Sequence, residues 1–223
     1  MGLTHSPSDL KQIYRKRFAG QDEHRQRVWR VLVAYFARWI PKNATVLDLG
    51  CGYCEFINQV EAAKKYAMDL NPDVANRAAP GVQILQANCS EIWAIPAETL
   101  DGVFTSNFFE HLPTKAGLER TLIEAHRCLK RGGRLIALGP NIKYLPGEYW
   151  DFFDHYLPLT ELSLAEVLEK CGFQVEARIG RFLPYTMSHG PKYPIWCLRA
   201  YLAFPLMWRF FGRQFLVVAR KAG

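Results

Sequence analysis

Apolar residues recur at three- and four-residue steps along the first forty positions: Leu10, Ile13 and Tyr14, then Val28, Leu32, Tyr35, Phe36 and Trp39, with Arg and Lys between them. That is the spacing of amphipathic helices. Gly20 separates two such helices and Pro41 ends the second. From Thr45 the pattern changes to short apolar runs, at 45–49, 65–69, 82–86, 100–106, 134–138, 173–179 and 215–219. These predict seven strands, and the apolar run at 45–49 is typical of a buried parallel strand. The helical period returns over 55–63, 117–130 and 163–171, the second stretch stopped by Gly132-Gly133 and the third by Gly172. Strands alternating with helices require crossovers of one hand that cover both faces of a sheet. The expected fold is therefore α/β and doubly wound, a mostly parallel seven-stranded sheet with helices on both faces.

With 223 residues, 49% hydrophobic and 22% charged, the chain has the make-up of a single domain over 1–223, and disordered or repeat architectures are excluded. The net charge of +7 is unevenly placed: residues 1–43 hold 9 Lys/Arg against 3 Asp/Glu, 44–181 hold 13 against 18, and 182–223 hold 6 against none. Basic ends around an acidic middle favour phosphate, nucleic acid or anionic lipid, or serve only as a solvated surface. The six cysteines lie among apolar residues with no leader pattern before them, which predicts free thiols in a reducing cytoplasm. Cys51 and Cys54 form a CxxC, but no second ligand pair follows and the flanking glycines do not suit a redox helix, so no metal site is expected.

In such a sheet a ligand binds beyond the carboxyl ends of the strands, beside the first strand's loop. Here that loop runs through Asp48, Gly50, Cys51, Gly52 and Cys54, with Asp69 about twenty residues on at the end of the next strand. Gly50 and Gly52 allow a tight turn and close approach of a ligand, and Asp69 is placed to accept hydrogen bonds from ribose hydroxyls. The third glycine of a dinucleotide fingerprint is replaced by Glu55, whose charge repels a pyrophosphate but attracts a nucleoside bearing a sulfonium.

VLDLGCG (46–52), MDLNP (68–72), QANCSEI (86–92), TSNFFEHL (105–112) and LKRGGRLIALGPN (129–141) together resemble, in order, the motifs of class I S-adenosylmethionine-dependent methyltransferases, of the type-11-like kind. The resemblance spans about 14–220. It implies a Rossmann-like fold, S-adenosyl-L-methionine as cofactor and S-adenosyl-L-homocysteine as product. It also implies a cofactor site built from Asp48, Gly50, Cys51, Gly52, Asp69, Leu70, Asn88, Cys89, Asn107 and Phe108, with Tyr14 and Arg17 on an N-terminal helical lid (1–43) over a cofactor-binding core (44–181). Two positions depart from the family. Cys54 stands for a third glycine, and the loop keeps its path if that residue holds a negative φ. Asn88 stands for the Asp that meets the adenine amino group, and its side-chain oxygen retains the acceptor.

Ser106-Asn107-Phe108-Phe109 lacks the Asn-Pro-Pro-Tyr pattern of enzymes that methylate base amines, and 140–173 resembles methyltransferases of glycan and small-metabolite pathways. The resemblance thus implies O-methylation of a small-molecule, saccharide or lipid-linked hydroxyl. Such an oxygen needs a base, for which His155, His111 and Asp154 are the candidates. His111 also reads as a local turn residue. His155 has Trp150, Phe153 and Tyr156 to screen a substrate from water. The insertion at 182–212, before a last strand in 213–223, carries nine aromatics, three cations and no acid. A cap over the acceptor or a homodimer contact ranks ahead of peripheral contact with the inner face of the membrane. A silent cofactor-binding regulator is the alternative from another class, and nucleic acid as partner ranks lower because no RNA-binding module is evident.

Overall fold

The computed structural model describes residues 22–185 and 192–223. It opens on α1 (Asp22–Phe36), continued by a 3-10 turn at Ala37–Trp39. The first of the two expected N-terminal helices, with Tyr14 and Arg17, lies outside the described residues. There follow β1 (Thr45–Leu49), α2 (Glu55–Gln59), β2 (Lys64–Met68), β3 (Val82–Leu85), β4 (Leu100–Ser106), α3 (Lys115–Cys128) and β5 (Leu129–Pro140). Then come α4 (Glu161–Lys170), β6 (Phe173–Ile179), α5 (Ile195–Ala203), α6 (Pro205–Phe211) and β7 (Gln214–Lys221).

The strands form one seven-stranded sheet in the order β3-β2-β1-β4-β5-β7-β6. β1 to β5 pair in parallel, and β7 runs antiparallel between β5 and β6. Alternate residues divide the core into two layers, as a period of two requires. Leu47, Leu49, Val103, Leu135 and Val217 face α3 and α4, whereas Val46, Phe104, Ile136 and Val218 face α1, α2 and the α5–α6 pair. Strand order reverses between β1 and β4, so their carboxyl ends open the crevice in which such sheets bind ligands.

Several element ends differ from expectation, three of them for identifiable reasons. α2 stops at Gln59 rather than 63, because the Ala63 and Lys64 amides donate to the Ala44 carbonyl and draw the chain into β2. α3 ends at Cys128 rather than 130, since Leu129 already pairs with Leu100. Gly132, at φ +79°, then turns a short excursion inside β5 before Arg134 rejoins opposite Gly102. α4 begins at Glu161 because Thr160 and Ser163 cap each other's amides.

Candidate functional site

The loop after β1 is held by hydrogen bonds from its own backbone. The Gly50 and Cys51 amides donate to the Met68 carbonyl at 2.9 and 3.2 Å, tying the loop to the end of β2. Gly50, Gly52 and Cys54 have φ of +69°, +52° and +62°. Cys54 therefore does not keep the negative φ expected of it. A left-handed non-glycine residue costs roughly 1–2 kcal/mol, and here the side chain is wholly buried in the apolar layer under α1 and α2. Its sulfur lies 3.9 Å from that of Cys51. The hydrogen bond shared with Cys54, then burial and the nearby Asp48 carboxyl, push the Cys51 thiol well above its ordinary pKa, and a protonated thiol neither ligates metal nor attacks.

Asp48 is buried beside the first turn of α2, where the Ile57 amide works against the rise of its pKa. Burial first, then Glu55 and Asp69, raise its pKa well above the carboxylate range. Glu55 opens α2 and pairs with Arg25 of α1, so its charge is shared rather than aimed at a ligand alone. Beside these groups lies an open cleft lined by Arg25, Trp29, Gly50, Cys51, Gly52 and Asn107.

Asp69 stands at the tip of β2, accepting the Gly52 amide on Oδ2 and the Asn71 amide on Oδ1, each at 2.9 Å. Burial raises its pKa against these hydrogen bonds and the pull of His111. Each oxygen keeps a second lone pair for a ribose hydroxyl. Replacing Asp69 with Ala is accordingly expected to weaken S-adenosylmethionine binding by roughly 1.5–3 kcal/mol, the scale of charge-assisted hydrogen bonds, with Asp69→Asn intermediate. Calorimetry showing unchanged affinity in Asp69→Ala would remove it from the cofactor site.

Leu70 is exposed beyond the tip of β2. Asn88 does not offer its side-chain oxygen freely: Oδ1 accepts the Ser90 amide at 3.0 Å in an Asx turn, and only the second lone pair remains. The Cys89 thiol points into the core, 3.4 Å from the Thr121 hydroxyl, so any ligand contact there falls to its backbone. Asn107, at φ +49°, lines the cleft, its amide bonded to the Leu138 carbonyl. The Phe108 ring covers Gly50 and fills the space next to its α-carbon.

Beyond Phe108 the chain assembles a cluster that only partly matches the expected base candidates. The His111 amide donates to the Phe108 carbonyl at 3.0 Å within the 3-10 turn Phe109–His111, as its local reading expects, but its imidazole reaches further. Its Nδ1 lies 2.9 Å from the Asp154 carbonyl and 3.2 Å from Asp154 Oδ2, across 43 residues. His155 is buried, stacked on Phe152 at 5.0 Å between centroids and set edge-on to Tyr149 at 4.8 Å. The expected screen is therefore built from Phe152 and Tyr149, while Trp150 and Phe153 face solvent at 53% and 92% exposure. Sequence reasoning did not place Glu110 in the site. It is 3% exposed, and a carboxylate set between Phe109 and Leu112 was the available signal. Burial lowers the His111 pKa, but the Asp154 hydrogen bond and the charges of Glu110 and Asp154 outweigh it and leave the imidazole above its ordinary value.

Residues 22–178 match the family described as "Methyltransferase domain". The chain belongs to that family. A Mycolicibacterium smegmatis protein named as an S-adenosylmethionine-dependent methyltransferase is 30% identical over 144 residues, covering 61% of this chain and 54% of its own length. An Encephalitozoon cuniculi protein named as a methyltransferase is 26% identical over 136 residues, covering 58% of this chain and 63% of its own. The chain thus spans less than two thirds of these curated relatives. Among solved structures, an S-adenosylmethionine-dependent methyltransferase of Archaeoglobus fulgidus superposes with TM-score 0.64 at 20% identity, over 95% of this chain and 99% of that one. A chain in the complex of the Haloferax volcanii Trm112 methyltransferase activator with a methyltransferase gives 0.68 at 16%, over 97% of each. These two establish the shared fold.

The residues around the cleft of this methyltransferase domain fit S-adenosylmethionine. The cleft opens onto a glycine-turned backbone, Asp69 accepts the amide of Gly52 from that lining, and the acidic residues Asp48 and Glu55 with Arg25 suit a sulfonium rather than a pyrophosphate. The bound cofactor supplies an electrophilic methyl group on sulfur.

Proposed function

We propose that this methyltransferase methylates a hydroxyl oxygen of a small or glycan-like acceptor, with the His111–Asp154–His155 cluster removing the proton. The observation that carries this reading is the contact between His111 Nδ1 and the Asp154 carbonyl at 2.9 Å. A carbonyl only accepts, so Nδ1 bears the hydrogen and Nε2 the lone pair, the form of an oriented general base. A bond forms between the acceptor oxygen and the methyl carbon as the carbon–sulfur bond breaks, and the hydroxyl proton passes to Nε2. Holding the oxygen about 3 Å from the methyl carbon supplies much of the acceleration, and the walls of Tyr149 and Phe152 keep water from His155. Incubating the protein with methyl-labelled cofactor and fractionated cell extract, then identifying the product by mass spectrometry, tests this directly. Label on an oxygen of a small, saccharide or lipid-linked molecule is the expected result. Label on RNA or on nitrogen overturns the acceptor, and no label in any fraction favours a silent cofactor-binding module.

The α5–α6 pair supports a place of action. Trp208 and Leu202 are buried, the Trp208 indole donates to the Tyr201 carbonyl at 2.8 Å, and the Tyr201 hydroxyl donates to the Phe182 carbonyl at 2.6 Å. On the outer side Trp196, Phe204, Leu206, Phe210 and Phe211 are each more than half exposed, among exposed Lys192, Arg199 and Arg209 and no acid. No helix among the described residues is long and apolar enough to cross a membrane. An aromatic face ringed by cations suits the interface of an anionic bilayer, and this occupant is preferred here to a cap or a second copy. Co-sedimentation with phosphatidylglycerol-containing vesicles is expected, weakening as salt rises and lost in a Trp196→Ser, Phe210→Ser variant. Equal binding to neutral vesicles, no binding, or a dimer mass by light scattering that halves in the variant refutes it.

A further inference from the structure

Glu110 and His111 follow β4, and His155 sits in the loop after β5, yet one ligating atom from each lies within 4.8 Å of the others. Two backbone hydrogen bonds set that proximity: the Tyr156 and Leu157 amides both donate to the Glu110 carbonyl, at 2.8 and 3.1 Å, so the His155 loop is pinned beside the Glu110 turn. The imidazoles of His111 and His155 meet at 68° with centroids 4.9 Å apart, edge toward face rather than stacked. Nδ1 of His111 carries the hydrogen, so Nε2 is the donor atom. Behind Nδ1 stands Asp154, with its carbonyl at 2.9 Å and its carboxylate at 3.2 Å. Outer carboxylates and carbonyls in this position fix the tautomer and orientation of metal-ligating histidines and strengthen them as donors.

We propose that Glu110, His111 and His155 form a binding site for a divalent transition metal, oriented by Asp154. Two imidazoles and one carboxylate are borderline donors, which suit Zn²⁺, Co²⁺, Mn²⁺ or Fe²⁺ better than the all-oxygen preference of Mg²⁺ or Ca²⁺. Metal–ligand bonds of about 2.0–2.2 Å hold donors closer together than the present limit of 4.8 Å, and small side-chain rotations close the difference. Two buried carboxylates, Glu110 and Asp154, flank the two imidazoles, and a cation compensates the negative charge they bring into a dry site. Three protein ligands leave positions open for oxygen. This inference rests on the hydroxyl-acceptor reading but replaces its base: with Nε2 of His111 on the metal, an acceptor oxygen at an open position has its pKa lowered, so that its proton leaves to solvent rather than to Nε2 and the oxygen is presented as an alkoxide.

The test begins with metal alone, away from catalysis. Chelator-treated protein is titrated calorimetrically with Zn²⁺, and separately with Co²⁺ while the visible d–d absorption is recorded; Mg²⁺ is the control. One ion per chain with micromolar or tighter affinity, a Co²⁺ spectrum, and at least a hundredfold weakening in both His155→Asn and Glu110→Gln are expected. Circular dichroism confirms that each variant is folded, and two chemically different substitutions guard against the failure of one. No stoichiometric binding by the parent, binding unchanged in both variants, or selective binding of Mg²⁺ overturns the proposal. Full hydroxyl methylation by metal-free protein would sink the metal site and leave the hydroxyl-acceptor reading standing. Label on another acceptor with intact metal binding would do the reverse.

Discussion

His111→Ala is expected to lower turnover by on the order of a hundredfold or more, with S-adenosylmethionine affinity changed by no more than a few-fold, because removal of a positioned base costs on that scale. The residue follows the β4 turn rather than lining the glycine loop, so the loss falls on kcat. His155→Ala is expected to lower turnover as well, since it removes the buried ring that packs edge-on against His111. Asp154→Ala separates orientation from chemistry. It leaves the Asp154 carbonyl, which accepts from Nδ1 at 2.9 Å, and removes only the carboxylate at 3.2 Å, so its defect should be smaller than that of His111→Ala. Steady-state kinetics on the identified acceptor, with cofactor affinity measured independently, checks the order. If both histidine variants keep full turnover, the cluster takes no part in proton removal.

β1, β4 and β6 begin and end where the sequence pattern puts them, the first two because each is an apolar run buried between helix layers, and β6, an edge strand, because Gly172 and Gly180 bound its alternating run FQVEARI. Helix ends were less legible, since they depend on partners far along the chain. The Ala44 carbonyl ends the approach to β2 and Leu100 claims Leu129 from α3, and neither contact leaves a local signal. The glycine loop and Asp69 were readable because a ligand-binding turn restricts residue type at close spacing. Cys54 was misjudged because a left-handed residue that is not glycine looks like any other in a sequence, and its strain is balanced by burial. The histidine cluster was legible only as separate candidates. His111 meets Asp154 across 43 residues, and hydrophobic periodicity says nothing about which side chains of two loops converge. For the same reason Trp150 and Phe153 were expected as walls where Tyr149 and Phe152 serve.

Gly50→Ala is expected to destabilise the protein by about 3 kcal/mol or more, near the upper end of single substitutions, through two separable effects. The first is conformational: at φ +69° a side chain costs roughly 1–2 kcal/mol. The second is steric, because a β-carbon at Gly50 would lie 2.2 Å from Cγ and 2.3 Å from Cδ2 of Phe108, separations at which the ring must leave its place. The space beside Gly50 is thus occupied by Phe108 and not by solvent. A substitution there disturbs the start of the loop and the turn after β4 together, and cofactor affinity should fall with stability. Combining Gly50→Ala with Phe108→Ala divides the two effects. Shortening Phe108 removes the overlap but not the left-handed strain, so the pair should be less destabilised than the sum of the single changes by about 0.5–3 kcal/mol, the range of coupling between residues in contact. Urea unfolding of the four proteins, with cofactor calorimetry on those that fold, measures the coupling. Strictly additive losses would mean that Phe108 moves away from Gly50 at no cost, and Gly50→Ala as stable as the parent would mean that the loop does not hold the left-handed conformation at all.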